Sequence, residues 1–171
     1  MDVTEKGQGR AMWFAARTRY GQELKIKQRL EEDGVEHFIP TRESQNYRHQ
    51  KREKPVINNL VFLRATQEEA VALKTKKGLP FQYLFDYANH TMLVVPDKQM
   101  EDFQRVFDAS IEEGGLVNQP IAVGEKVKVV RGPLKGVEGN ILETQGAYYV
   151  VVSLCGCVSV RAKVPVAYLE K

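Results

Sequence analysis

The sequence predicts an α+β protein made of an N-terminal α/β sandwich, in which helices flank an antiparallel sheet, and a small C-terminal β-barrel. Residues 12–113 alternate short apolar runs with segments of helical periodicity, in the order β, α, β, β, α, β, β, α. Residues 114–121 combine Gly, Asn and Pro without periodicity, and residues 122–171 read as about five short strands separated by turn signals. We therefore expect a disordered tail at 1–11, a first domain at 12–113, a linker at 114–121 and a second domain at 122–171.

The first strand and helix are predicted from the run "MWFAARTRYGQELKIKQRLEED". The strand is aromatic and apolar, and the helix that follows a glycine ends at Gly34. Ile26 and Leu30 lie four residues apart and share one helix face, while Lys25 and Arg29 share another. The helix is therefore expected to pack on the sheet and to present a basic stripe.

The middle of the first domain contains two further strands, "VEHFIP" and "NNLVFLRA". Between them "TRESQNYRHQKREKP" carries six basic or histidine side chains against two glutamates and has no apolar periodicity. We interpret this stretch as an exposed, mobile hairpin or loop. Thr66 is the predicted N-cap of the second helix, "QEEAVALKTKKG", which has glutamates in its first turn and Lys76, Lys77 and Gly78 at its end.

The remaining elements follow the same patterns. "FQYLFDY" and "TMLVV" are predicted strands, and "PDKQMEDFQRVFDASIEEGG" is a predicted helix that starts at Pro96 and stops at a glycine pair. The predicted barrel strands are "EKVKVVRG", "GVEGNILET", "AYYVVVSL", "CVSVRAK" and "PVAYLEK". Alternation in the first of them predicts that Val127 and Val129 point inward and that Lys126 and Lys128 point outward.

Composition and charge narrow the functional classes. The 171 residues carry 25 Lys or Arg and 22 Asp or Glu, a formal net charge of +3, so a preference for nucleic acid depends on clustering of the cations. The polar N-terminus and the lack of a long apolar run predict a cytoplasmic location and no membrane partner. Asp86 and His90 are neighbours in sequence only, and "GQGRAM" lacks the preceding strand of a dinucleotide-binding fingerprint. We expect no catalysis and no cofactor.

The two cysteines, Cys155 and Cys157, are expected to alternate along a strand and to face the same side of it. A structural zinc site needs about four ligands, and the histidines lie far away in sequence. Two reduced, small apolar residues are the favoured interpretation, and a redox pair or an incomplete metal site are the alternatives.

Two parts of the chain carry a family resemblance. "GEKVKVVRGPLKGVEGNI" resembles a KOW motif, the strand-loop-strand core of an SH3-like barrel. "WFAARTRYGQELKIKQRL", "FIPTRES" and "LVFLRA" resemble, in that order, the N-terminal domain of NusG-family transcription factors. Together they cover Met12 to Lys171, and "LPFQYLFDY" with "VVPDKQMEDFQ" is most similar to the specialised Bacteroides-type, UpxY-like antiterminators of capsular-polysaccharide operons. One departure is Asn58-Asn59-Leu60, where the family usually has a Pro-Gly-Tyr or Pro-Asn-Tyr turn.

The resemblance implies a transcription elongation or antitermination factor that docks on the clamp helices of RNA polymerase and suppresses pausing and termination in long operons. Leu60 and Phe62 lie two residues apart on one strand face, and Phe85 matches an aromatic residue in the family's following strand. These three are the expected polymerase-binding residues. The alternative for each of them is an ordinary core position.

The resemblance also implies contact with the exposed non-template DNA strand. The matching cations would neutralise phosphates, which gives affinity and salt dependence but little sequence choice. A solvated helix face is the alternative for each of them. In the family the hairpin at Arg42–Lys54 reaches toward upstream nucleic acid. The expected nucleic-acid-binding residues are Arg19, Lys25, Arg29, Lys76 and Lys77.

The KOW resemblance implies a partner for the second domain: a ribosomal protein, a termination factor or an inhibitory regulator. Arg131, Leu134 and Lys135 in the "RGPLKG" turn are the expected contact residues, and the chain is expected to be a monomer. The rival interpretation is a KOW-type RNA- or ribosome-binding protein. Such a protein would be expected to carry a much larger basic excess than +3.

Overall fold

The structure is a computed structural model that describes residues 9–45, 47–110, 116–117, 124–156 and 158–171. The chain divides into two compact units, Met1–Pro96 and Asp97–Lys171. Helices combine with antiparallel sheets, which confirms the α+β class. Within the described residues, no helix has both the length and the apolar character needed to cross a membrane.

The first unit is built on one antiparallel sheet with the strand order β2-β5-β1-β6, in which β9 also pairs with β1. Two separate hairpins, β3–β4 and β7–β8, and two helices complete it. The bounds are β1 Met12–Thr18, α1 Glu23–Glu32, β2 Glu36–Phe38, β3 Thr41–Gln45, β4 Lys51–Pro55, β5 Leu60–Ala65, α2 Gln67–Thr75, β6 Phe81–Tyr83, β7 Phe85–Asp86, β8 Thr91–Met92 and β9 Val94–Val95.

Both helices cover the same face of this sheet. Ile26 and Leu30 of α1 and Leu73 of α2 share a buried cluster with Val61 and Leu63 of β5, so the predicted apolar face of α1 is confirmed. The start of α2 is confirmed too. The Thr66 hydroxyl accepts a hydrogen bond from the Glu69 amide, and the Glu69 carboxylate accepts one from the Thr66 amide.

The predicted strands "FQYLFDY" and "TMLVV" are each divided in two. Phe81–Tyr83 pair with β1, after which the chain leaves the sheet and Phe85–Asp86 pair with Thr91–Met92 in a hairpin of their own. Val94–Val95 then return to β1. The basic segment predicted as a hairpin or loop is a hairpin, in which β3 and β4 pair from Thr41↔Pro55 to Gln45↔Lys51.

The second unit combines one helix with a six-stranded antiparallel sheet, here called the C-terminal sheet. Its strand order is β10-β14-β13-β12-β11-β15. The bounds are α3 Asp97–Ser110, β10 Leu116–Val117, β11 Lys126–Val129, β12 Glu138–Thr144, β13 Ala147–Leu154, β14 Val158–Lys163, a 3-10 helix at Val166–Tyr168 and β15 Leu169–Glu170. Val127 and Val129 are buried and Lys126 and Lys128 are exposed, as predicted.

The described residues do not form the closed barrel that the sequence predicts. Strands β10 and β15 end the sheet and do not pair with each other there. The last predicted strand, "PVAYLEK", is interrupted by a 3-10 helix at Val166–Tyr168. Only Leu169–Glu170 remain to pair with β11.

Part of the predicted boundary region falls outside the described residues. This applies to the tail up to residue 8, to the end of the α3 segment at 111–113, and to the linker at 114–121 except for Leu116–Val117. Those two residues form β10 and pair with Val160 and Ser159 of β14. The domain limits drawn from the sequence remain a prediction.

The expected strand position of Cys155 is wrong. Cys155 has φ 55° and Gly156 has φ 62°, so the chain turns there between β13 and β14. A left-handed backbone interrupts the alternation of side chains on which the same-face prediction depended. Cys157 lies outside the described residues.

The Asn58-Asn59-Leu60 turn forms with a left-handed Asn59, whose φ is 63°. Its amide donates a 2.8 Å hydrogen bond to Oε1 of Glu23, and its carbonyl accepts one of 3.0 Å from the Thr18 amide. Asn adopts this backbone more readily than other non-glycine residues. The turn therefore links the starts of α1 and β5 to the end of β1 without the family's glycine.

We expect Asn59→Val to lower the free energy of unfolding of the first unit by about 1–2 kcal/mol, because a β-branched side chain is strained in left-handed backbone. Asn59→Gly should change it by only a few tenths of a kcal/mol. Urea unfolding followed by the fluorescence of Trp13, the single tryptophan, measures both. Asn58→Val is the matched control, since Asn58 is exposed and has no left-handed φ. Equal stability of the Val and Gly variants at position 59 would contradict the argument.

Candidate functional site

Two of the predicted basic residues, Arg29 and Lys77, meet where α1 and α2 end. Arg29 Nη2 donates a 2.6 Å hydrogen bond to the Lys77 carbonyl, and Lys77 Nζ forms a 3.0 Å ion pair with Asp33 Oδ1. Lys25, one turn before Arg29, and Lys76 are exposed. The structure thus brings both helix ends together and gives Arg29 and Lys77 a structural role as well as a charge.

Arg19 lies in the turn between β1 and α1. Its carbonyl accepts a 3.2 Å hydrogen bond from the Gln22 amide, and Gly21 has φ 77°. Tyr20, between them, is 84% exposed. Sequence reasoning did not select Tyr20, because a tyrosine next to a strand resembles a core residue. Arg19 and Tyr20 thus present a cation and an aromatic ring in the turn before the start of α1.

The basic β3–β4 hairpin is attached to α1. Lys27 Nζ pairs with the Glu53 carboxylate, which also accepts a hydrogen bond from the Thr41 hydroxyl. The hydrogen bond from Lys27, followed by that from Thr41, lowers the pKa of Glu53. At the tip, Tyr47 is exposed and the Arg48 guanidinium lies 5.3 Å from the centre of its ring. The hairpin therefore carries a cation and an aromatic ring at its tip.

Leu60 and Phe62 lie on the sheet face opposite α1 and α2, and both are buried. Their exposed fractions are 2% and 0%. Phe62 pairs across the sheet with Ala15 and Phe38, and the Phe38 and Phe62 ring centres are 6.4 Å apart. In this structure both side chains are core residues, the alternative that the sequence left open. Their contact with polymerase remains a prediction.

Phe85, by contrast, is accessible. It is 43% exposed, and its ring meets that of Tyr87 edge-to-face at 5.2 Å, with Tyr87 82% exposed. Asp86 holds this hairpin turn, because Oδ1 accepts hydrogen bonds from the amides of Ala88 and Asn89 and Oδ2 accepts one from Asn89 Nδ2. These bonds, with that from the Asn89 side chain first, lower the pKa of Asp86. We call Phe85 and Tyr87 the aromatic pair.

Arg131, Leu134 and Lys135 lie in the loop between β11 and β12, here called the β11–β12 loop. Arg131 and Lys135 are exposed, whereas Leu134 is 7% exposed. Gly132 has φ 83°, and a Cβ there would approach the Tyr168 ring to 2.9 Å. The loop thus presents two cations, while the side chain of Leu134 is buried.

The first unit therefore has the characteristics of a binding protein, with cations at joined helix ends and exposed aromatic side chains on hairpins. A family model described as "Transcription termination factor nusG" matches residues 11–104. Because this match covers more than half of the 171 residues, the chain belongs to the NusG family. Proteins of this family are transcription factors rather than enzymes and generally bind RNA polymerase.

We expect Phe62→Ala to lower the free energy of unfolding of the first unit by about 3–5 kcal/mol, because it empties a buried site. Phe85→Ala, at a half-exposed position, should cost about 0.5 kcal/mol or less. Urea unfolding followed by Trp13 fluorescence compares them directly. A small loss for Phe62→Ala would show that its side chain is not part of the core.

Proposed function

We propose that this protein is a transcription elongation and antitermination factor that docks on the clamp helices of RNA polymerase and suppresses pausing and termination. The observation that carries the proposal is the family match over residues 11–104, which spans the sheet, α1, α2 and both hairpins. A factor that bridges the polymerase cleft acts by binding alone, so it needs accessible contact residues rather than catalytic groups.

The aromatic pair is the proposed centre of the polymerase contact. Exposed aromatic side chains dominate protein interfaces, because they bury a large area at low entropic cost. The Asp86 turn fixes the backbone between Phe85 and Asn89 before binding, which reduces the ordering cost further. Leu60 and Phe62 can contribute directly only if the side of the sheet that carries them becomes accessible.

The predicted basic residues of α1, of the β1–α1 turn and of the end of α2 are the proposed contact for the non-template DNA strand. Lys25, Lys76 and Arg19 are exposed, while Arg29 and Lys77 hold the two helices together. Phosphate neutralisation by such a set raises affinity for any sequence and makes it depend on salt. The β3–β4 hairpin adds further positive charge.

The resemblance of "LPFQYLFDY" and "VVPDKQMEDFQ" to UpxY-like antiterminators supports action on long operons. The "GEKVKVVRGPLKGVEGNI" segment supports a KOW domain for 122–171, which we propose to bind a ribosomal protein, a termination factor or an inhibitory regulator. We propose a cytoplasmic monomer. A net charge of +3 disfavours the RNA- or ribosome-binding alternative.

The experiment that separates these functions is a pull-down of the full chain with core RNA polymerase and, in parallel, with ribosomal RNA. Retention of polymerase together with fewer pauses in a transcription assay supports the proposal. Retention of ribosomal RNA without polymerase would replace it with the RNA-binding alternative.

We expect Phe85→Ala with Tyr87→Ala to weaken binding to core polymerase by at least about tenfold, because truncating an aromatic anchor costs about 2 kcal/mol or more. Val71→Ala is the matched control: Val71 is an exposed apolar residue on α2, outside the hairpin. Affinity is measured by titration of labelled protein with core polymerase. Unchanged affinity in the double variant, with its fold intact, would exclude the aromatic pair.

We expect Lys25→Glu with Lys76→Glu to remove most of the affinity for single-stranded DNA and to reduce its salt dependence, because two phosphate contacts become repulsive. Lys126→Glu with Lys128→Glu on β11 is the matched control, with the same charge change on the C-terminal sheet, and should have a small effect. Fluorescence anisotropy at low and moderate salt measures both. A larger loss in the control would assign DNA binding to the second unit.

A further inference from the structure

The second unit has a small cleft beside the β11–β12 loop, with a volume of about 160 Å³. Its floor is apolar, because Leu134, Ala162 and Val164 line it and none of them is more than 7% exposed. The ring of Tyr168 also lines it, and we call it the Tyr168 cleft. A cavity of about 150 Å³ is large enough to hold a benzene ring. The Tyr168 cleft can therefore accept one aromatic or long aliphatic side chain.

The Tyr168 ring is held in place by the backbone on both sides of it. The Tyr168 amide donates a 2.9 Å hydrogen bond to the Pro165 carbonyl, and the Tyr168 carbonyl accepts one of 2.7 Å from the Val130 amide. A Cβ at Gly132 would approach the ring to 2.9 Å, so the ring packs directly on glycine backbone. A wall that is already ordered reduces the entropic cost of binding.

The other side of the cleft is held by α3. Arg105 Nη2 donates hydrogen bonds to the carbonyls of Pro133, at 3.0 Å, and Lys135, at 2.9 Å. Ala109 lies one turn further along the helix, lines the cleft and is exposed. All of the lining residues belong to the second unit. The cleft is therefore a fixed feature of that unit.

Two exposed cations, Arg131 and Lys163, complete the lining. No acidic side chain of the described residues lines the cleft. Within that same part of the chain, neither cation forms a side-chain ion pair or hydrogen bond. Cations in this position favour a ligand that carries carboxylates next to its apolar group.

This combination suits a protein ligand better than a nucleic acid. Single-stranded nucleic acid binds along rows of cations and stacks its bases on open aromatic faces. Here only two cations border a concave apolar site, and one face of the Tyr168 ring is covered by Gly132. A buried apolar anchor with charged groups around it is the usual arrangement of a protein interface.

We propose that the Tyr168 cleft binds an acidic segment of a partner protein. One aromatic or long aliphatic side chain of that segment fills the cleft, and carboxylates next to it in sequence pair with Arg131 and Lys163. The proposal rests on the proposed partner-binding role of residues 122–171 and assigns the site of that role. It retains Arg131 and Leu134 from the expected contact residues but not Lys135, whose side chain does not line the cleft.

The test uses four fluorescein-labelled heptapeptides as probes and the full chain as the receptor. Each peptide has one variable residue between two pairs of aspartates, with a glycine at each end, and the variable residue is phenylalanine, leucine, alanine or lysine. We expect the phenylalanine and leucine peptides to bind at least about tenfold more tightly than the alanine and lysine peptides, because only they fill an apolar cleft. Fluorescence anisotropy measures the four affinities.

Variants of the chain then locate the binding site. Arg131→Glu with Lys163→Glu should weaken binding of the phenylalanine peptide by at least about tenfold, because two attractive contacts become repulsive. Lys128→Glu with Lys135→Glu is the matched control, with the same charge change on exposed residues outside the cleft, and should have a much smaller effect. Ala109→Leu places a larger side chain at the cleft from an exposed helix position and should also weaken binding.

Chemical shifts of the wild-type chain give a second readout that needs no variant. The amide signals of Ala162, Val164 and Tyr168 should move when the phenylalanine peptide is added, and that of Lys128 should not. Circular dichroism establishes that each variant is folded, and the chemical shifts decide the matter for any variant that is not.

Several results would overturn the proposal. They are a wild-type chain that binds none of the peptides, equal binding of the phenylalanine and alanine peptides, and an equal loss in the control pair. A single-stranded oligonucleotide that displaces the peptide and binds more tightly would make this a nucleic-acid site instead. The pull-down with polymerase is independent of these results. A chain that retains polymerase but binds no peptide loses only the cleft, and the reverse result loses only the elongation-factor assignment.

Discussion

Strand β5 is the constraint on which the first unit depends. It lies between β1 and β2 in the sheet, and its first four residues, Leu60–Leu63, are all buried. Val61 and Leu63 contact the helix-covered cluster, while Leu60 and Phe62 use the other face. A central strand that is buried on both sides fixes the sheet, and its side chains are inaccessible in this structure. Accessible cations and aromatic rings of the first unit lie beside its helices and on the hairpins that leave the sheet.

Some of the basic side chains also have a structural role. Arg29 and Lys77 belong to the basic set, yet their contacts with each other and with Asp33 join α1 to α2. Lys27 similarly joins α1 to the β3–β4 hairpin through Glu53. Some of the basic side chains thus position the helices and the hairpin that carry the exposed cations.

The second unit depends on the contact between α3 and the C-terminal sheet. Its C-terminal sheet is open in the described residues, and α3 covers the β13–β14 side of it. The contact combines the apolar face of α3 with the buried carboxylate of Asp102, so it is only partly apolar. Apolar burial supplies most of the free energy, while the Asp102 and Arg105 hydrogen bonds to the β11–β12 loop set the register.

The sequence by itself determined the local elements: α1 and α2, the Thr66 cap and the alternation of β11. Each of these depends on neighbours within a few residues, through backbone sterics, capping and side-chain period. Only the tertiary structure decided that Leu60 and Phe62 are buried, that the aromatic pair leaves the sheet, that the C-terminal sheet is open and that α3 packs on it. These outcomes depend on contacts between residues that lie tens of positions apart in the sequence. A period-2 pattern shows that a strand has an apolar face, but it cannot distinguish a face that another part of the chain covers from one that is left for a partner.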